Sequence, residues 1–172
     1  RDDKFRINFS RQDDNRLAYW KMMEFSRAQW EQLLDHAHKK GLIFMSSPFS
    51  IDALNMLLEM GVPALKLASG EIYNPELSQA CFAAQIPLFC SIGLSGWAEI
   101  RSIIRRLQVL PERPVLMQCT SQYPTPLNRV GLNVIEELKT LHGEMVGLSD
   151  HSGTLHPSLA AMGVGAVALE FH

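Results

Sequence analysis

Residues 61–75 read Gly61-Val-Pro-Ala-Leu-Lys-Leu-Ala-Ser-Gly-Glu-Ile-Tyr-Asn-Pro75, and one strand-to-helix unit is legible in them. Gly61 sits where a preceding helix should stop, because glycine takes the left-handed cap without steric penalty. Ala64–Ala68 is a short apolar run, as a strand buried on both faces should be. Ser69 and Gly70 break the run, and Asn74 followed by Pro75 is a good N-cap and first-turn pair for the next helix. Lys66 interrupts the strand at its centre. A lysine there must be paired or face a polar cavity, since an unpaired buried charge is costly.

The same unit recurs along the chain. Further apolar runs lie at Leu42–Met45, Pro87–Cys90, Pro114–Gln118, Met145–Leu148 and Ala166–Leu169. Ser50 and Ser95 stand before helical segments, and Gly143 stands after one. Ser26 with Gln29 forms a capping box, and Trp30, Leu33, Leu34 and Ala37 follow as one apolar stripe. Strands alternating with helices predict a parallel sheet with crossover helices, in a doubly wound sheet or a barrel. No Gly-x-Gly-x-x-Gly turn follows the first strand, which weakens the dinucleotide-binding version. Nearly every strand also ends in residues able to do chemistry, and a barrel gathers such ends around one mouth. The expected fold is therefore α/β, a TIM-type (β/α)8 barrel. Six strands are legible where a closed barrel needs eight, so the barrel is read as partial. Residues 1–25 are expected as an irregular connecting segment, with a short extended piece at Phe5–Phe9, and residues 26–172 as the partial-barrel catalytic domain.

Composition narrows the function. The 172 residues are 47% hydrophobic and 20% charged, with a formal net charge of −2. That balance gives no basic footprint for nucleic acid and no polybasic membrane anchor. No apolar run approaches membrane-spanning length, and the N-terminus lacks a signal-peptide core. Cys81, Cys90 and Cys119 match no zinc or redox spacing and read as reduced thiols of a cytoplasmic protein.

The strand ends carry the chemistry. Lys66 with Ser69, and with Ser47 and Ser91 on neighbouring strands, suits a phosphate: the lysine supplies charge and the hydroxyls supply donors. The plainer alternative is a Lys66–Glu71 ion pair. His151 and His172, on adjacent strand ends, suit one shared metal ion through neutral imidazole nitrogens, with Asp150 or Glu170 orienting a ring. The alternative is two hydrogen-bonded histidines at the rim. His36, His38, His142 and His156 read as solvated. The Cys119–Leu127 loop, pinned by Pro124 and Pro126, offers the Tyr123 ring and hydroxyl to a polar ligand, or is an ordinary rigid connection.

Together these strand ends resemble the sialic acid synthase family, which includes legionaminic and pseudaminic acid synthases. The motifs are Met45-Ser-Ser-Pro-Phe-Ser50, Lys66-Leu-Ala-Ser-Gly-Glu71, Ser91-Ile-Gly-Leu94, Gln118-Cys-Thr-Ser-Gln-Tyr-Pro124, Gly147-Leu-Ser-Asp-His-Ser152 and Glu170-Phe-His172, in the family's order. The resemblance implies an eight-stranded barrel, of which these are the third to eighth strands. It also implies a small antifreeze-like domain, absent here, that reaches into the partner subunit's site of a homodimer. By the same resemblance Ser47, Lys66, Ser69, Ser91, Ser121 and Ser149 contact phosphoenolpyruvate. His151 and His172 hold a divalent metal (manganese, with magnesium or cobalt as alternatives), and Tyr123 contacts an N-acetylated sugar. Lys66, His151 and His172 are the catalytic residues it implies. Gln118, Ile92 and Phe171 depart from the family pattern, where histidine, threonine and a basic residue are common. The rival readings are another phosphoenolpyruvate-dependent keto-deoxy sugar acid synthase, and a truncated chain that binds ligand without turnover.

Overall fold

The computed structural model describes residues 16–172, and the chain divides into two compact units, Arg1–Leu42 and Ile43–His172. The Phe5–Phe9 piece lies outside the described residues. In the first unit, α1 (Arg16–Met23) is helical where irregular chain was expected. Nothing in Arg-Leu-Ala-Tyr-Trp-Lys-Met-Met opposes a helix, since it contains neither glycine nor proline. The expected capping box opens α2 (Arg27–Lys39): Ser26 N–H donates to Gln29 Oε1 at 2.8 Å, and Gln29 N–H donates back to Ser26 Oγ at 3.4 Å. The α2 stripe is not a core face, because no residue of this helix is buried. α2 stands with the first compact unit, which ends at Leu42.

The second unit alternates strands with helices. Its strands are β1 (Met45–Ser46), β2 (Ala64–Leu67), β3 (Leu88–Ser91), β4 (Val115–Cys119), β5 (Val146–Asp150) and β6 (Leu169–Phe171). The crossovers are α3 (Ile51–Glu59), α4 (Pro75–Ala83), α5 (Trp97–Leu107), α6 (Leu132–His142) and α7 (His156–Gly163). The sheet has six parallel strands in the order β1-β2-β3-β4-β5-β6. A doubly wound sheet reverses its strand order at a switch point. This one never reverses, so it is the arc of a TIM-type β/α barrel.

Side chains alternate across the arc as strand geometry requires. Leu65, Leu67, Leu88, Cys90, Leu116, Val146 and Leu148 join Leu54, Leu57, Ile103, Ile135 and Leu138 of the helices in one buried cluster. The intervening positions on β2 to β6, from Lys66 to Glu170, turn to the barrel interior. Gly147 is one of these, and a Cβ there would lie 2.6 Å from Met117 Sδ and 2.5 Å from the Ala168 carbonyl, so only glycine leaves that space open. Burial holds the Cys81 thiol up at about 11 and pushes Cys90 further, consistent with inert packing roles.

Three local expectations shift. β1 forms at Met45–Ser46 and not over Leu42–Met45, and Ile43 is 79% exposed. Residues 166–168 lead into β6, although Val167 N–H and the Ala168 carbonyl already bond to Val146 and Leu148 of β5. α5 is capped by Gly96, whose N–H donates to Glu99 Oε2 at 2.7 Å, while Ser95 hydrogen-bonds the Tyr73 hydroxyl. Ser50 and Asn74 cap α3 and α4 as expected, accepting from Ala53 and Leu77 N–H.

Candidate active site

The carboxyl ends of the strands enclose a cavity of about 430 Å³. Ser47, Lys66, Ser69, Ser91, Ser121, Tyr123, Ser149, His151 and His172 all line it. Every candidate site residue is thus brought to one place, by six successive strand ends and the loops after them.

Lys66 reaches the cavity because it is the one β2 side chain between Leu65 and Leu67, which face the helices. Its partner is Glu170 on β6, with Nζ to Oε2 at 2.5 Å, and not Glu71. Glu71 instead accepts from Asn74 Nδ2 at 3.4 Å. Burial alone would raise the Glu170 carboxyl, but hydrogen bonds from Lys66 and Ser149 outweigh it and hold the group below its usual range. Glu170 Oε1 also lies 3.4 Å from His172 Nε2. Of the two acids considered for orienting a ring, Glu170 therefore touches a histidine. Both Asp150 oxygens are taken by the N–H and hydroxyl of Ser152, each at 2.9 Å.

The hydroxyls differ in readiness. Ser69 Oγ accepts the Gly93 N–H at 3.0 Å. That approach depends on Gly93, where a Cβ would lie 2.6 Å from Cys119 Sγ and 2.7 Å from Ser121 Oγ. Ser91 Oγ is buried and has no protein partner. A buried hydroxyl left unpaired is costly, and an acceptor entering the cavity would satisfy it.

His151 is oriented by its backbone surroundings. Its Nδ1 lies 2.8 Å from the Thr120 carbonyl, which can only accept, so Nδ1 carries the proton and Nε2 the lone pair. Nε2 is 3.1 Å from the Tyr123 hydroxyl and 3.5 Å from Ser149 Oγ. Burial is the main force lowering the His151 pKa, against the Thr120 bond, so the neutral ring is favoured. The His151 and His172 rings meet edge-on with centroids 4.3 Å apart. Two imidazoles this close, with the His151 Nε2 lone pair turned to the cavity, fit a divalent cation. Among the described residues no group of three or more His, Cys, Asp or Glu forms a cation cage. A cation held by the pair would take its remaining ligands from substrate or water.

Sequence reasoning missed Cys119, Phe49 and Leu94 in the lining, and Glu170 as the partner of Lys66. The signal for Glu170 was its place on β6, where alternation turns it to the same interior as Lys66. His142 was read as solvated but is buried, its Nε2 donating to the Pro114 carbonyl at 2.9 Å beneath the sheet. Of the three departures from the family pattern, Gln118 bonds the Val130 carbonyl on the outer face and Ile92 joins the core. Phe171 alone stands near the mouth, 57% exposed.

A single-order parallel arc whose polar residues gather at the carboxyl ends of its strands defines a β/α-barrel enzyme domain. The chain belongs to the NeuB family, which it matches over residues 1–172. It is 29% identical to an N,N'-diacetyllegionaminic acid synthase of Campylobacter jejuni, over 98% of this chain and 51% of the relative. It is 31% identical to the human N-acetylneuraminate-9-phosphate synthase, over 87% of this chain and 42% of the relative. A crystal structure of N-acetylneuraminic acid (sialic acid) synthetase from Leptospira borgpetersenii, in complex with citrate, superimposes with a TM-score of 0.82 at 31% identity. It covers 87% of this chain and 53% of that one. The chain spans about half the length of these relatives.

Proposed function

We propose that the protein condenses phosphoenolpyruvate with an N-acetylated amino sugar, N-acetylmannosamine or a relative, to give a nonulosonic acid and phosphate. One observation carries the reading: a buried lysine and a set of serine hydroxyls share a cavity with two histidines, of which His151 keeps its Nε2 unprotonated.

Lys66 and the hydroxyls of Ser47, Ser69, Ser91, Ser121 and Ser149 grip the phosphate and carboxylate. Their work is chiefly to position the methylene carbon against the aldehyde. A divalent cation at His151 and His172, manganese for preference, supplies Lewis acidity to the aldehyde oxygen. Tyr123 is beside His151 and contacts the sugar. The methylene carbon bonds to the aldehyde carbon, water adds at the phosphate-bearing carbon, and phosphate leaves with cleavage of its C–O bond. The reaction belongs in the cytoplasm, a compartment that suits the three free thiols. No described helix is long and apolar enough to cross a membrane. The intact enzyme works as a homodimer.

Calorimetric titration with phosphoenolpyruvate and manganese, followed by product analysis with N-acetylmannosamine, tests the reading. Lys66→Ala should weaken phosphoenolpyruvate binding at least tenfold, and His151→Ala should abolish metal-dependent turnover. A folded protein that binds neither ligand, or manganese dependence untouched in His151→Ala, overturns it.

A further inference from the structure

We propose that Glu170 couples the histidine pair to Lys66, so that a divalent cation at the histidines frees Lys66 for phosphate. The inference rests on the function proposed above and concerns how its two half-sites communicate.

Glu170 has one carboxylate and, besides the Ser149 hydroxyl, two basic neighbours competing for it. Oε2 accepts from Lys66 Nζ at 2.5 Å, while Oε1 lies 3.4 Å from His172 Nε2. The contact with Lys66 joins residues 104 apart in sequence, across the barrel interior from β6 to β2. The side chains are 10% and 30% exposed, so the pair is only weakly screened by water. Held this way, Lys66 is neutralised by a protein carboxylate, and that same carboxylate repels an incoming phosphate. Nearby, Ser91 Oγ is buried without a protein partner, a donor prepared for an acceptor that Glu170 does not supply.

With a cation at His172 Nε2, Glu170 Oε1 gains a second and stronger counter-charge. The carboxylate then no longer neutralises Lys66 alone, and the ammonium turns its charge to the phosphate. Such a coupling is reciprocal: phosphate must tighten the cation by the factor by which the cation tightens phosphate.

Titration calorimetry on the full chain tests this, with manganese, inorganic phosphate and phosphoenolpyruvate each added alone and in pairs. In the unaltered protein manganese should tighten phosphoenolpyruvate at least tenfold. In Glu170→Gln, which keeps the shape and removes the charge, metal-free binding should strengthen severalfold and manganese should add less than twofold. A folded Glu170→Gln protein that retains the tenfold enhancement overturns the coupling and leaves the proposed function standing. Failure of the unaltered protein to bind either ligand overturns the proposed function itself. Should Glu170→Gln not fold, inorganic phosphate with the unaltered protein decides. It engages Lys66 but lacks the carboxylate of phosphoenolpyruvate, so an equal manganese enhancement upholds the coupling and none removes it.

Discussion

At the scale of the residue, direction along a strand decides role. Gln118 and Cys119 are neighbours on β4, yet Cys119 lines the cavity while Gln118 bonds the Val130 carbonyl behind the sheet at 3.1 Å. Gln118 is one of the positions where the sequence departs from the family resemblance, and its placement removes it from substrate contact. Gln118→Ala is therefore expected to destabilise the fold by about 1–3 kcal/mol, the cost of stranding a buried carbonyl. Phosphoenolpyruvate affinity should stay within twofold. Chemical denaturation and calorimetry check the two halves, and a large loss of affinity at unchanged stability would put Gln118 back in the site. The polar strand ends were legible because a lysine or histidine inside an apolar run has few bland explanations. The Lys66–Glu170 contact was not, since its members lie 104 residues apart and a nearby Glu71 offered a simpler partner.

At the scale of the element, caps read well and strand limits read poorly. Asn74, Ser50 and the Ser26–Gln29 box cap their helices as expected, because capping is a short-range bond between neighbours in sequence. The limits of β1 and β6 shifted, because a short, continuously apolar run has no periodicity to mark where pairing begins. Between elements, the loops after β3 and β4 meet at Gly93 with no room for a Cβ: Cys119 Sγ, Ser121 Oγ and the Cys119 carbonyl would all lie within 2.9 Å. The carbonyl is backbone and cannot rotate away. Gly93→Ala should force the two loops apart, at a cost of about 1–3 kcal/mol as for other overpacked sites. It should also weaken phosphoenolpyruvate binding, because Ser69 loses the Gly93 N–H and Ser121 is displaced. A variant with unaltered melting temperature and affinity would show that the loops are free to separate.

At the scale of the whole molecule, the partition at Leu42–Ile43 was the least legible feature, because a capped amphipathic helix looks the same whether or not it belongs to the barrel. Within the second unit, the order of the strands carries a physical consequence. Among the described residues β1 pairs only with β2 and β6 only with β5, whereas β2 to β5 have neighbours on both sides. β1 is also two residues long and its Met45 is 42% exposed, while every residue of β4 and β5 is buried. Local opening needs least free energy where few apolar contacts and few ladder bonds must break. Amide hydrogen exchange on this chain should therefore show a gradient, with β4 and β5 protected nearly to the global unfolding limit and β1 and β6 exchanging much faster. The gradient bears directly on function, since β6 carries Glu170 and leads straight into His172. A site half built on a protected strand and half on an edge strand should gain protection at β6 when manganese and phosphoenolpyruvate bind together. Uniform protection across the sheet without ligand would show that β1 and β6 open no more readily than β4 and β5, and the ligand-dependent gain at β6 would then disappear.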